Sequence, residues 1–388
     1  MLQRTWRNEL LQSAERDLEK LDLLESASVS LYPGLNAFAH LKQLRINLDA
    51  KEPSKKILSS SELKLPRWRL VTSGDDKDDG IRCRGVYQRP TNTLRGTSVS
   101  EDVDVFVEWT RFDLDISLDA KLHLYQRIDN LARMLHSSSN RHPDLHTLDC
   151  VGYVEDVPRT RYGIVYLAPP TSAAAPTPSA IQTLAHLLAK SPTPDLNVRF
   201  KLAHTLAIAL WSCHSLDWLH KTLCPQNILF FNDPDPTVDT TSSPPVLGPP
   251  HLAGFDSSRP DHLDEMTVAS RNEIGQDLYR HPLSLGVWRQ KYRKSFDIYS
   301  LGLVLLEIGL WKGLEVFCRG KHGKYTPAAL RDKIVQVVVP GLGAKTGRVY
   351  RGVVERCLGY EDVGGVAEGM TPHQVMEWVV LTLEGLKV

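Results

Sequence analysis

Four sulfur and imidazole side chains lie close together in the chain: Cys213, His214, His220 and Cys224. Thiolates and imidazoles are the ligands of structural zinc, so zinc is the first chemistry to weigh here. Their spacing fits no common zinc pattern, and no two of the six cysteines form a C-x-x-C pair. The sequence therefore favours reduced, buried thiols in an intracellular protein and predicts no metal ligands.

Two other stretches carry a more specific pattern. The segment Trp218–Phe231 reads WLHKTLCPQNILFF and resembles the protein-kinase catalytic loop in outline. The matching residues are His220, Leu223, Pro225, Asn227, Ile228 and Leu229. The segment Asp297–Glu307 resembles the kinase helix that opens D-x-W-S-x-G and closes with a glutamate. The two stretches follow each other in the order that kinases use.

The whole set resembles a fungal family of protein-kinase-like proteins, including pseudokinases, often linked to HeLo-type helical domains of heterokaryon-incompatibility proteins. Sequence motifs typical of that family occur at Leu252–Asp256 (LAGFD), Tyr279–Pro282 (YRHP) and Ser295–Gly302 (SFDIYSLG). The resemblance covers about residues 65–388. It implies an α+β, bilobal protein-kinase-like fold, with a small β-rich N-lobe, a larger helical C-lobe and a short N-terminal helical extension.

The resemblance also shows which kinase groups are replaced. Phosphoryl transfer depends on positioning and charge neutralisation, so each lost charge matters. The catalytic base position is Thr222 and the loop lysine position is Cys224, while the strand lysine position is Glu108 and the metal aspartate position is Gly254. A threonine hydroxyl is not a useful base at pH 7, and a carboxylate cannot pair with phosphates. These degenerate positions predict no catalytic residue.

Little remains to hold a nucleotide or a cation. Asn227 survives among the metal ligands, but one neutral amide does not hold Mg²⁺. Asp256 lies two residues from the usual metal position and can be recruited to a cation, although a turn or capping role is commoner. The segment Ser73–Gly80 replaces the glycine-rich loop with four aspartates, which repel phosphates. We expect no cofactor, with ATP and Mg²⁺ at Asn227 and Asp256 as the alternative.

Three further residues are assigned structural roles. We expect Glu108 to pair with Arg127 of the following helix, which would invert the charges of the usual lysine–glutamate pair. The alternative is that both side chains are separately solvated. The resemblance implies that His220 and Asp297 brace the loop as buried scaffold residues, with Asp297 accepting backbone N–H groups.

Hydrophobic periodicity supplies the elements that position these residues. Residues 1–50 read as helices, and a strand-like zone follows the linker at 51–64. The predicted order is three strands (68–72, 81–88 and 103–109), a helix (118–135), two strands (147–154 and 162–167), and helices at 179–190, 195–219, 296–311, 327–336, 348–357 and 372–386. The segment Asn232–Pro250 reads as a surface insertion. The predicted domains are 1–60, 65–170 and 171–388.

Composition excludes several classes of function. The 388 residues contain 46 Lys and Arg against 46 Asp and Glu, so the basic excess typical of nucleic-acid binders is missing. The longest apolar run, Ile298–Trp311, is broken by Glu307 and is too short to span a bilayer. The N-terminus lacks the apolar stretch of a secretory signal. The sequence therefore predicts a soluble, cytoplasmic protein without a membrane span.

The favoured function is non-catalytic. Loss of the base, the strand lysine and the metal aspartate removes most of the electrostatic stabilisation that a kinase supplies. We expect a pseudokinase that acts as a signalling scaffold and binds a protein partner, in the setting of fungal incompatibility or immunity that the resemblance implies. The alternative is a non-standard nucleotide-dependent transferase or kinase that uses Asp256, Asn227, Glu108 and the acidic segment at 75–79.

Overall fold

The computed structural model describes residues 2–49, 61–72, 81–92, 98–112, 118–138, 142–169, 180–232, 247–255, 259–260, 277–286, 289–318, 326–360 and 369–386. The chain divides into two compact units. One comprises residues 16–143 and 147–170, and the other comprises residues 1–15, 144–146 and 171–388. Helices are combined with antiparallel sheets, so the fold belongs to the α+β class.

Three helices open the chain: α1 (Leu2–Ser13), α2 (Leu18–Ser28) and α3 (Pro33–Asp49). Helix α2 begins where the Asp17 carboxylate accepts two backbone N–H groups of the first turn. Helix α3 begins at Pro33, whose missing N–H costs nothing at this position. Helix α1 belongs to one unit, whereas α2 and α3 belong to the other. The predicted domain at residues 1–60 stays a prediction.

The side chains of α1 explain this division. Arg4 and Arg7 each place a guanidinium nitrogen 2.9 Å from a carboxylate oxygen of Asp144. Arg7 also donates to the Ser212 hydroxyl at 3.4 Å, and its side chain is buried. These polar contacts attach α1 to the unit that contains residues 171–388, whereas α3 packs against the long helix of the sheet unit.

Besides α2 and α3, the sheet unit contains a five-stranded antiparallel sheet and a long helix. These further elements are β1 (Leu70–Thr72), β2 (Arg82–Asn92), β3 (Ser98–Arg111), α4 (Leu118–Ser138), β4 (Cys150–Asp156) and β5 (Arg161–Leu167). The strands lie side by side in the order β1-β2-β3-β5-β4. This chain order of three strands, one helix and two strands is the order that the sequence predicts.

Strand β3 is buried on both faces over residues 105–109. Val105, Val107 and Trp109 join the core cluster on one face of the sheet. Phe106 and Glu108 alternate with them and are also buried. A charged side chain in such a strand needs a partner, because burial of an unpaired carboxylate is costly.

The second unit is mainly helical. Its elements are β6 (Ala180–Thr183), α5 (Leu184–Lys190), α6 (Leu196–Ser215), β7 (Trp218–Leu219), β8 (Ile228–Asn232), β9 (His251–Leu252), β10 (Arg259–Pro260), α7 (Lys294–Leu310), α8 (Glu315–Cys318), α9 (Pro327–Lys333), a π-helical turn (Ile334–Val338), α10 (Val339–Gly359) and α11 (Pro372–Glu384). Every residue of α7 is buried, so this helix is the centre of the unit. Tyr350 of α10 donates its hydroxyl to the Leu305 carbonyl of α7 at 2.8 Å.

Some predicted helices have other bounds in the structure. Residues 180–183 form β6 because they pair with β8, and the Thr183 hydroxyl caps α5. Helix α6 ends at Ser215 because Asp217 takes a left-handed conformation with φ +55°. Helix α10 begins well before the predicted residue 348, and Gly347 interrupts its helical geometry at φ +84°.

Among the helices within the described residues, none has both the length and the apolar character needed to cross a membrane. Of the predicted insertion Asn232–Pro250, residues 233–246 lie outside the described residues.

Candidate functional site

The loop His220–Asn227 connects the short strands β7 and β8. Strand β7 pairs with β10, and β8 pairs with β6 on one side and β9 on the other. The loop closes with a 3-10 turn over Pro225–Asn227, where Pro225 supplies a preset φ. All of its residues except Gln226 are buried, so the loop is a packed part of the unit.

Asp297 in the first turn of α7 holds the start of this loop. Its carboxylate is fully buried and accepts the backbone N–H groups of His220 at 2.9 Å and Lys221 at 2.8 Å. The Tyr292 hydroxyl donates to the same carboxylate at 2.9 Å, and His214 Nε2 lies 3.3 Å away. This set of donors fixes the loop in place, and it lets Lys221 keep its left-handed φ of +71°.

These contacts also set the protonation state of Asp297. Burial alone would raise the pKa of the carboxyl. The hydrogen bond and charge of His214, helped by His220 and the Lys221 amide, outweigh burial and hold the pKa below its usual value. Asp297 therefore stays ionised as a structural anchor.

Thr222 and Asn227, which the sequence resemblance aligns with the base and a metal ligand of kinases, both donate hydrogen bonds to backbone carbonyls. The Thr222 hydroxyl donates to the Gly254 carbonyl at 2.6 Å. The Asn227 side-chain amide donates to the Thr222 carbonyl at 2.7 Å. The Asn227 carbonyl in turn accepts the N–H of Ala253 at 2.9 Å. We call Thr222, Asn227 and Gly254 the loop triad.

Gly254 has no room for a side chain. Its φ is +79°, in the left-handed region that favours glycine. A Cβ atom at this position would lie 2.3 Å from Nδ2 and 2.5 Å from Cγ of Asn227. The Asn227 amide therefore occupies the space that an aspartate at residue 254 would need.

His220 and Cys224 are packed inside the same unit. The His220 ring lies 4.7 Å from the Phe255 ring, which also contacts Trp218 at 5.3 Å. Cys224 is buried beside the 3-10 turn. Burial and the nearby Asp297 charge raise the pKa of the Cys213 thiol, which keeps the thiol protonated and a poor metal ligand.

No group of three or more His, Cys, Asp or Glu side chains in the described part of the chain is arranged to hold a metal ion. The loop triad itself contributes a hydroxyl, an amide and a backbone carbonyl. These groups carry no charge, so they neither accept a proton at neutral pH nor neutralise a phosphate.

Glu108 has an arginine partner in the sheet unit. Arg82 donates to Glu108 Oε1 through Nη2 at 2.6 Å and Nε at 2.9 Å, and the Glu108 side chain is buried. The two residues lie directly opposite each other in the β2–β3 register. A pair between Glu108 and Arg127 stays a prediction, and the exposed position of Arg127 on α4 does not favour it.

Two further predicted features cannot be placed. Asp256 and the acidic segment at 73–80 both lie outside the described residues.

Glu307 near the end of α7 is a buried acid to which the sequence gives no role. Its Oε1 accepts the Tyr279 hydroxyl at 2.7 Å and the Leu314 N–H at 2.6 Å. Burial raises the pKa of Glu307 to about 8, although both hydrogen bonds act in the other direction. The sequence signal that could have identified this residue is a lone glutamate within the apolar run of α7, because a buried glutamate must be paired or neutral.

No curated protein matches the chain. A family described as a domain of unknown function, DUF7580, matches residues 104–365, which include β3 from residue 104 onward, the loop triad and α7. Because the match spans more than half of the chain, the protein belongs to the DUF7580 family.

Proposed function

We propose that this protein is a bilobal, protein-kinase-like pseudokinase that acts as a cytoplasmic signalling scaffold and binds a protein partner. Three features support the kinase-like part. They are the five-stranded antiparallel sheet with one helix after its third strand, the helical unit that follows it, and the aspartate at the start of α7 that binds the backbone of His220 and Lys221.

The loop triad carries the non-catalytic part of the proposal. Its hydrogen bonds are satisfied within the protein, since the Thr222 hydroxyl and the Asn227 amide both donate to backbone carbonyls. A metal-binding carboxylate at residue 254 would collide with Asn227. The three residues are thus linked to one another by hydrogen bonds, and none of them carries a charge that could bind a nucleotide.

Glu108 supports the same conclusion from the other unit. A lysine at this strand position would present a positive charge to phosphates. Here the position holds the Glu108 carboxylate, which is neutralised by Arg82 of the neighbouring strand. The alternative of a rearranged transferase therefore has fewer groups available than the sequence suggested. Glu108 already binds Arg82, and Asn227 already binds the loop backbone.

A thermal-shift assay tests this function. We expect ATP to leave the melting temperature unchanged, with or without Mg²⁺ or Mn²⁺, because a ligand raises it only when it binds the folded state. A metal-dependent rise, together with transfer of phosphate or nucleotide to an acceptor protein, would overturn the proposal. The same assay with GTP serves as the control for nucleotide choice.

A further inference from the structure

Residues 14–17 connect α1 to α2, and we call them the hinge. Their sequence is Ala-Glu-Arg-Asp, which contains neither glycine nor proline. Alanine, glutamate and arginine are among the residues that favour the helix most strongly. The local sequence therefore favours one continuous helix over residues 2–28, but the chain bends at the hinge and forms two separate helices.

The bend places Glu15 in an unfavourable conformation. Its φ is +48°, in the left-handed region where a Cβ atom crowds the following carbonyl. Strain of this kind persists only where neighbouring interactions enforce it. The Asp17 carboxylate supplies one such interaction, because it accepts the N–H groups of Glu19 and Lys20 and so begins α2. The bent hinge thus reflects a balance between strain at Glu15 and the cap at Asp17.

The hinge also lies at the boundary between the two compact units. Residues 1–15 belong to the helical unit, whereas residues 16–143 belong to the sheet unit. The chain that follows α1 therefore runs directly into the other unit. The place of α1 in the helical unit consequently depends on noncovalent contacts with residues that are distant in the sequence.

Many of the contacts that hold α1 are polar. The buried residues of the helix are Arg7, Asn8 and Leu11. Arg4 and Arg7 each lie 2.9 Å from a carboxylate oxygen of Asp144, and Arg7 also donates to Ser212 at 3.4 Å. Polar groups regain hydrogen bonds with water on release, so a polar surface separates at a lower cost than an apolar one. We call the surface around Asp144 and Ser212 the α1 site.

We propose that α1 exchanges between two copies of the chain, so that α1 of each copy binds the α1 site of the other. A second copy fits this site because its α1 carries the same residues, including the two arginines that bind Asp144. In the exchanged form the hinge becomes helical and joins α1 and α2 into one helix about 40 Å long. This inference goes beyond the proposed function and does not depend on it.

The balance of free energy in the hinge decides how far the exchange proceeds. Exchange preserves the contacts of α1 with its site and relieves the left-handed backbone of Glu15. It loses the Asp17 cap of α2 and the freedom of two separate molecules. Short, strained connections between packed elements are known to favour such exchange.

Sedimentation velocity of the full chain at increasing concentration tests the proposal through two hinge variants with opposite effects. Asp17→Ala removes the cap of the bent form, so the dimer should be about tenfold tighter or more than in the wild type. Glu15→Gly removes the left-handed strain and disfavours the straight helix, so the dimer should be about tenfold weaker or more. Both side chains are exposed, so both variants should fold.

Asp22→Ala is the matched control for Asp17→Ala. Asp22 is an exposed aspartate within α2 and lies outside the hinge. Its replacement should leave the dissociation constant of the dimer within about twofold of the wild type, because an exposed carboxylate in a helix contributes little.

Two charge-reversed chains show whether α1 itself is the exchanged element. One chain carries Arg4→Glu/Arg7→Glu and the other carries Asp144→Arg. Within each chain, α1 and its own site then have charges of the same sign, whereas each α1 is complementary to the site of the other chain. We expect the mixture to form a one-to-one heterodimer and each chain alone to stay monomeric. If the double variant fails to fold, Arg4→Glu alone replaces it.

Three outcomes would overturn the exchange of α1. They are a monomeric Asp17→Ala variant at its highest soluble concentration, an equal shift in Asp22→Ala and Asp17→Ala, and the absence of a heterodimer from the mixed charge-reversed chains. A dimer of Glu15→Gly tighter than that of the wild type would contradict the role of the hinge. Nucleotide binding or transfer would remove the pseudokinase function and leave the exchange of α1 standing.

Discussion

At the scale of single residues, Gly254 decides what the loop triad can do. Its left-handed φ and its closeness to Asn227 exclude any side chain. An aspartate that faced a metal here would first have to displace the Asn227 amide from the Thr222 carbonyl. The packing of the loop thus excludes a carboxylate side chain at residue 254.

Gly254→Ala should destabilise the protein by about 2–4 kcal/mol, because the added methyl group meets Asn227 and the backbone favours glycine. The measurement is urea denaturation followed by circular dichroism. Gly352→Ala is the matched control, since open space surrounds this helical glycine. It should stabilise the protein by up to about 1 kcal/mol. A Gly254→Ala variant as stable as the wild type would contradict the packing described here.

The case of Glu108 shows that the sequence predicts the strand of a residue but not its ion-pair partner. The alternation of residues 103–109 predicts the strand and places Glu108 on it. The helix that follows was the expected source of its partner, but the structure supplies Arg82 from the adjacent strand. Only the β2–β3 register brings the two residues opposite each other, and register depends on how the intervening turn closes.

At the scale of secondary-structure elements, α7 organises the helical unit through two buried acids. Asp297 in its first turn is ionised and binds the backbone of the loop His220–Asn227. Glu307 near its end binds Tyr279 and the Leu314 N–H. Glu307 Oε2 has no hydrogen-bond partner among the described residues, which agrees with a protonated carboxyl.

Glu307 should make stability fall as pH rises. Its pKa goes from 4.5 in the unfolded chain to about 8 in the folded one, so the folded state binds the extra proton in this window. Stability from this proton is present below the unfolded pKa and is lost through the folded pKa. At about 1.4 kcal/mol per pKa unit, the loss amounts to a few kcal/mol at most.

The variant Glu307→Gln tests whether the ionisation of Glu307 lowers the free energy of unfolding as pH rises. It keeps an oxygen acceptor for Tyr279 and removes the ionisation, so its free energy of unfolding should exceed that of the wild type at about pH 9 and match it at about pH 5. Urea denaturation at both pH values measures the difference. Glu355→Gln, at an exposed glutamate, should follow the wild type. A parallel pH dependence in Glu307→Gln and wild type would refute the assignment.

The elements themselves were largely predictable, whereas their ends were not. Apolar periodicity locates α4, a continuous apolar run locates α7, and alternation locates the first five strands in order. It misses β6 and β7, which are too short to show a period and exist through pairing with β8 and β10. Long-range pairing of this kind leaves no local signal.

At the scale of the whole molecule, the charges of the chain have a consistent distribution. The loop triad is neutral, and the Glu108 carboxylate is neutralised by Arg82. The overall balance of 46 cations and 46 anions does not reveal that these two places lack a free positive charge.

Direct titration of Mn²⁺·ATP into the full chain by calorimetry is the measurement that tests the central claim. We predict no saturable binding heat, because the loop triad offers no charged ligand and its donors are already used. Stoichiometric binding that is abolished by Asn227→Ala would contradict the account. Asn227 would then be a ligand of Mn²⁺·ATP, and not solely a donor to the Thr222 carbonyl.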